Sequence, residues 1–201
     1  MVIDCTGHGV HGAFLTMLCE VIYRQIVGKI SSRNFDELEP SDILNEFNRA
    51  LIEVFYARSS NAIEGKGFDA KVLLLCKKEE TIKFSGAKNP LFFLKNGTLH
   101  KIEEDNCSVG YNVEKDFKFS SKSIKMTKNI KIYLATDGFW DQLDGTKKLP
   151  FGKKRFTKMI QEHHGMSMDA QRQIYLDTLK HYQEKSGITR VDDVTFVGIT
   201  L

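Results

Sequence analysis

The chain has 201 residues, 41% of them hydrophobic and 27% charged, with a formal charge of +3. That composition excludes a disordered polymer, and the length suits a single domain, residues 1–201, able to bury a real core. The small charge, spread in doublets such as Lys77-Lys78, Lys147-Lys148 and Lys153-Lys154, reads as solvated surface and gives no basis for a nucleic-acid partner.

In chain order, Val2 and Ile3 read as the end of a buried strand, and Asp4-Cys5-Thr6-Gly7-His8-Gly9 as a tight turn. Residues 11–30 predict a helix on which Phe14, Leu15, Leu18, Val21, Ile22, Ile26 and Ile30 recur near a helical period. After a polar connector, 31–40, Ser41 or Asp42 caps a second helix with Ile43, Leu44, Phe47, Leu51, Val54 and Phe55 at spacings of three and four. A polar loop spans 59–67. Strands are expected over 70–76, 81–85, 91–94 and 98–102, the last two joined by the hairpin signal Asn96-Gly97. Residues 117–119, 123–126 and 131–135 continue the β pattern, and Phe92-Phe93 reads as one core and one edge residue. Residues 140–154 read as a loop, 155–163 and 168–184 as helices split by Gly165, and 191–201 as a last strand after Gly187. The order indicates α+β, with antiparallel strands packed against helix pairs. Because the chain opens on the last residues of a strand, an N-terminal truncation is expected.

The four cysteines, Cys5, Cys19, Cys76 and Cys107, form no CxxC pair, which argues against structural zinc. Cys19 and Cys76 lie within apolar segments and read as buried, reduced thiols, and a cytoplasmic setting is expected. No signal peptide or bilayer-length apolar run is visible, so no direct membrane insertion by this chain is expected. A parent protein would reach a membrane only through another segment.

Three acid sites stand at strand ends. Asp4 follows Val2-Ile3, Asp137 follows Ile132-Tyr133-Leu134-Ala135, and Asp192-Asp193 precede Val194 to Leu201. Each alone reads as turn chemistry. Carboxylates gathered within about 4 Å repel by roughly 4 kcal/mol at an effective dielectric near 20, so a fold that gathers them needs a cation. Hard oxygen donors suit magnesium or manganese. His8, between two glycines, is a candidate acid or a turn residue. The turn it sits in opens a helix N-terminus, where free amides favour an anion such as phosphate. His163-His164 read as surface, Trp140 as a packing anchor, and Asn89-Pro90 as a turn whose amide is within the range of substrate roles.

Four segments in order, Asp4-Cys5-Thr6-Gly7-His8-Gly9-Val10, Gly86-Ala87-Lys88-Asn89-Pro90, Ala135-Thr136-Asp137-Gly138-Phe139 and Val191-Asp192-Asp193-Val194-Thr195, resemble the motifs of the SpoIIE-like bacterial phosphatases. These are metal-dependent serine/threonine phosphatases of the 2C type, and the resemblance covers nearly the whole chain. It implies a four-layer α-β-β-α sandwich of antiparallel sheets flanked by helix pairs, with two Mn2+ or Mg2+ ions. Carried over, Asp4 would bridge both ions, the Cys5 backbone carbonyl would ligate one, and Asp137 and Asp192 would ligate the other. Asp193 stands in the neighbouring position, and Asp69 resembles an acid near the site. The implied reaction is hydrolysis of phosphoserine or phosphothreonine by a metal-activated water, with the Cys5 thiol dispensable. The implied substrate is a phosphorylated anti-sigma-factor antagonist or similar phosphoprotein in a bacterial partner-switching pathway, with homodimerisation as a family trait. The chain departs from the family in lacking its first strands, which carry a further acid, and in having His11 where relatives have proline. The alternative is a catalytically weak or inactive docking module of the same fold. A phosphohydrolase acting on a small phosphoester is a third reading, although no GxxxxGK[ST] loop is present.

Overall fold

The computed structural model describes residues 1–7, 9–30, 37–56, 67–110, 117–143, 149–186 and 192–201. These fall into two units, Met1–Pro90 with Ile102–Met126 and Leu91–Lys101 with Thr127–Leu201. Each unit is a four-stranded sheet carrying two helices, the α+β organisation expected.

In the first unit the sheet runs β1 (Val2–Cys5), β2 (Phe68–Cys76), β3 (Thr81–Ala87) and β6 (Lys122–Lys125), all neighbours antiparallel. Alternation along β2 sends Phe68, Ala70 and Val72 into a core with α1 (Gly9–Ile30) and α2 (Pro40–Tyr56), while Asp69 and Lys71 take the other face. Helix α2 starts one residue before the expected caps, at Pro40, whose fixed φ suits a first turn. Its buried Leu44, Phe47 and Leu51 follow the predicted period, and Phe47 meets Phe68 edge-on at 5.3 Å.

Helix α1 corrects the sequence reading. Leu15, Cys19, Ile22 and Ile26 form the buried stripe, whereas Phe14 is 62% and Val21 53% exposed. With Val10 and Met17 they make a second apolar stripe one residue, hence about 100°, around the helix. A helix apolar on two arcs can seat only one of them on its own sheet.

Residues 117–119 are not a strand. The Phe119 N–H donates to Asn45 Oδ1 on α2 at 2.9 Å, and Phe119 enters the helix-side core beside Phe117. A side-chain amide thus takes the bond that a strand neighbour would have made. Asn48 Oδ1 likewise accepts from the Gly110 N–H at 2.9 Å.

In the second unit the order is β5 (Thr98–Ile102), β4 (Leu91–Lys95), β7 (Lys131–Ala135) and β8 (Phe196–Thr200). Asn96 and Gly97 both have positive φ, as the two-residue turn between β4 and β5 requires. Helices α3 (Lys153–Glu162) and α4 (Met168–Ser186) cover the sheet. Helix α3 begins inside the segment read as loop. Gln161 on α3 clasps the hairpin, its Nε2 donating to the Gly97 carbonyl and its Oε1 accepting from the Leu99 N–H. Phe156 anchors an aromatic cluster with Phe92, Phe139, Trp140 and Phe196. Phe93 is also buried, stacked on His100 at 5.0 Å, so neither member of the pair is an exposed edge residue.

One polar network lies inside this core. Tyr133 on β7 and Tyr175 on α4 both donate to Gln171 Oε1 at 2.9 Å, and Gln171 Nε2 donates to the Met166 carbonyl. Burial pushes the Tyr133 hydroxyl up to about 12 and raises Tyr175 as well, so both stay protonated donors. Gln171→Leu would strand both hydroxyls in an apolar environment, and a loss of about 2 kcal/mol is expected. Denaturant unfolding of the variant checks this; an unchanged midpoint would show that the hydroxyls find other partners.

Candidate active site

Of the predicted site residues, Asp4 and Cys5 belong to the first unit and Asp137, Asp192 and Asp193 to the second. His8 lies outside the described residues.

In the first unit, β1 ends in a turn anchored by Thr6. Its N–H donates to the Gly67 carbonyl at 2.9 Å, and its Oγ1 donates to the same carbonyl and accepts from the Gly67 N–H. Gly7 turns at φ +93°, a conformation other residues seldom adopt. A side chain at Gly12 would press on the Gly7 carbonyl at 2.8 Å, so the first turn of α1 closes tightly on the loop. Asp4 pairs directly across the β1–β2 ladder with Asp69. Directly opposed like charges destabilise a sheet unless something between them compensates. Asp69 accepts a 2.6 Å bond from Ser108 Oγ. On the helix side of β1, Cys5 Sγ lies 4.0 Å from Cys19 Sγ of α1.

In the second unit, β7 delivers Asp137 into a 3-10 turn, Asp137–Phe139, whose first carbonyl accepts from the N–H groups of Trp140 and Asp141, both at 2.9 Å. The strand β8 begins at Phe196, later than expected, so Asp192 and Asp193 sit in the approach to it rather than at its end. Thr136 holds that approach in place. Its Oγ1 accepts from the Thr195 N–H at 2.9 Å, and its own N–H donates to the Thr195 carbonyl at 3.0 Å. Buried Gln142 adds a clasp, its Nε2 donating to the Gly138 carbonyl at 2.7 Å and toward the Asp192 carbonyl at 3.4 Å. The approach passes so near Gly138 that a Cβ there would overlap the Asp193 carbonyl oxygen.

This packing brings in an acid that the sequence reading missed. Asp141 lies four residues after Asp137. Partial desolvation raises its carboxyl above the usual range; the Asp137 carboxylate adds to this, Lys153 opposes it and Asp192 adds again. Asp137 and Asp192 therefore both act on Asp141 in this unit. The usable signal was the spacing of four from an acid that opens a helical turn. Asp193 takes part through its backbone, the carbonyl facing Thr136 Oγ1 at 3.4 Å and the N–H donating to Asp192 Oδ1 at 2.7 Å.

The other singled-out residues play structural parts. Trp140 is buried on Phe156, with Lys153 Nζ 5.2 Å from its ring centre. The Nδ1 atoms of His163 and His164 each pair with a carbonyl of α3 at 2.8 Å. Asn89 is more than a turn residue: it is buried, and its Oδ1 meets no donor among the described residues.

The donor set fits a hard divalent ion. It consists of Asp4 opposed to Asp69 across the ladder in one unit, and of Asp137 and Asp192, both acting on Asp141, in the other, with backbone carbonyls close by. Among the described residues no group of three or more His, Cys, Asp or Glu side chains is spaced to hold a metal.

The model of the SpoIIE family, Stage II sporulation protein E, matches residues 1–201. The phosphoserine phosphatase RsbP of Bacillus subtilis (strain 168) is 23% identical over 201 residues, covering 98% of this chain and 44% of RsbP. The chain therefore spans less than half the length of that curated relative. Among solved structures, the SiaA-PP2C domain of Pseudomonas aeruginosa shares 26% identity at a TM-score of 0.82, over 99% of this chain and 74% of that one. The catalytic domain of the serine threonine protein phosphatase PstP, in complex with two manganese ions, has the same fold at a TM-score of 0.62 and 13% identity, over 99% of this chain and 86% of that one.

Proposed function

Because this chain belongs to the SpoIIE family, whose model spans all of residues 1–201, we propose that it forms one metal-dependent phosphatase domain that removes phosphate from phosphoserine or phosphothreonine on a protein. The observation that carries this reading is the clasped approach to β8, which Gly138 and Thr136 hold against the Asp137 turn and which carries Asp192.

In this reading Asp4 and the Cys5 carbonyl would hold metal in the first unit, and Asp137 and Asp192 would hold metal in the second. Asp193 positions Asp192 through the backbone. When bound, such ions lower the pKa of a water toward neutrality and offset charge on the phosphoryl oxygens. The chain's own part is to hold the acids rigidly, which Thr6, Thr136 and Gln142 do by bonding backbone to backbone across each turn. The first N–H groups of any helix lack intrahelical partners, which suits the start of α1 to an anionic phosphate group. The Cys5 thiol points to the helix-side core, so it takes no part.

The substrate in this reading is a phosphoprotein, and by the family resemblance an anti-sigma-factor antagonist in a bacterial partner-switching pathway. Homodimerisation also belongs to the reading. No helix among the described residues is long and apolar enough to cross a membrane. The docking-module alternative is not favoured, because relatives of both kinds, by sequence and by fold, are named phosphatases.

Turnover of an aryl phosphate and of a phosphoserine peptide should require manganese, stop with EDTA and return when manganese is restored. Turnover indifferent to EDTA would overturn the metal-dependent reading. A calorimetric titration with manganese separates an enzyme from a docking module, which has no need of the ion.

A further inference from the structure

We propose that Cys5 and Cys19 are a redox pair that closes to a disulfide under peroxide and thereby ties the proposed metal-ligand strand to helix α1. The two sulfurs lie 4.0 Å apart, one on β1 and one on α1, with thirteen residues of turn and helix between them. Each sulfur is within hydrogen-bond reach of the other. Closing the remaining gap to a bond of about 2 Å asks for side-chain rotation and a small approach of strand to helix. Cys5 is half-buried and within reach of a molecule as small as hydrogen peroxide, whereas Cys19 is 4% exposed and is reached through Cys5.

The chemistry balances with peroxide as the two-electron oxidant. Cys5 sulfur attacks one peroxide oxygen, the O–O bond breaks, and hydroxide leaves to become water. The resulting sulfenic acid is attacked by the Cys19 sulfur, the S–O bond breaks, and a second water departs. In sum two thiols and one peroxide give one disulfide and two waters. A dithiol reductant reverses it by exchange.

The consequence concerns Asp4 and the Cys5 carbonyl. They share a strand end with the Cys5 side chain, so drawing that side chain toward α1 turns the peptide that carries the proposed donors. The oxidised chain should bind manganese less tightly, and this clause rests on the function proposed above.

The test uses the intact chain. Peroxide treatment followed by alkylation and non-reducing peptide mapping should yield one cross-linked species joining the Cys5 and Cys19 peptides, with Cys76 and Cys107 still alkylated and the link undone by dithiothreitol. Sulfinic acid at Cys5 with Cys19 still alkylated, or a link that uses Cys76 or Cys107, would overturn the pair. Cys5→Ser should abolish the cross-link while leaving Cys19 alkylatable after peroxide. Calorimetry of the reduced and oxidised chains then reads manganese affinity, with a loss of about tenfold or more expected on oxidation. Equal affinity in the two forms overturns the coupling. A reduced chain that binds no manganese overturns the metal reading instead, and the peptide map stands apart from that result.

Discussion

Asp137→Asn should lower manganese-dependent turnover by at least about a hundredfold, since losing even a group that supports a metal ligand costs 10–100-fold. The fold should not suffer. The backbone carbonyl of residue 137, which accepts from the Trp140 and Asp141 N–H groups, is untouched by the change, and asparagine keeps the shape of aspartate. The metal-free variant should even match or slightly exceed the parent in stability, because one of the two carboxylates that act on Asp141 loses its charge. With manganese the order reverses. The parent gains about 2.7 kcal/mol at a hundred times the dissociation constant, and the variant gains little. Melting both proteins with and without manganese reads the two opposite shifts. A variant that keeps its metal-dependent turnover would remove Asp137 from the ligand set and sink the assignment that depends on it.

Where one pattern decided local structure, the fold was legible. The Asn96-Gly97 turn needs two residues with positive φ, and both have it. Helix α4 starts at Met168 as expected, and α2 shows its buried period at Leu44, Phe47 and Leu51. The misreadings share a cause, namely a partner far along the chain. Residues 117–119 have strand-like composition, but Asn45, 74 residues earlier, takes the Phe119 N–H. On α1 the apolar period could not say which of two adjacent stripes meets the sheet, because that depends on where β1 and α2 lie. Phe93 is covered although the alternation rule puts it on the opposite face from Phe92.

The acids divide in the same way. Asp4 and Asp137 could be placed from the sequence because each stands at or just past the end of an apolar strand, a fixed point of the fold, whereas Asp192 lies ahead of β8 and is held there by Thr136 and Gln142. Asp69 was visible only as a neighbour, and its register opposite Asp4 came from pairing. Asp141 was hidden in a segment read as loop. Its place depends on a single helical turn, in which its N–H returns to the Asp137 carbonyl at 2.9 Å. The supporting groups were the least legible: a threonine, a glutamine and a glycine carry no chemistry that a sequence pattern marks, yet Thr136, Gln142 and Gly138 set where Asp192 stands.

That last point is open to a direct test at Gly138. Its backbone is in the ordinary negative-φ range, since it is absent from the glycines with positive φ, so alanine is conformationally acceptable there. By helix propensity alone, alanine would favour the 3-10 turn by up to about 1 kcal/mol. The obstacle is the Asp193 carbonyl oxygen, a backbone atom that cannot rotate aside as a side chain can. Thr136 and Gln142 bind the segment on both sides of it, so it retreats only by breaking one of those bonds. Overlap therefore wins over propensity. Gly138→Ala should cost about 1–3 kcal/mol of stability. It should also lower turnover by about a hundredfold, the size of effect that a displacement near 1 Å can have. Gly165→Ala is the matched control, because a Cβ at Gly165 meets nothing within 4 Å, and it should leave both quantities unchanged. If Gly138→Ala behaves like the control, the approach to β8 yields without effect and the close passage over Gly138 does not position Asp192.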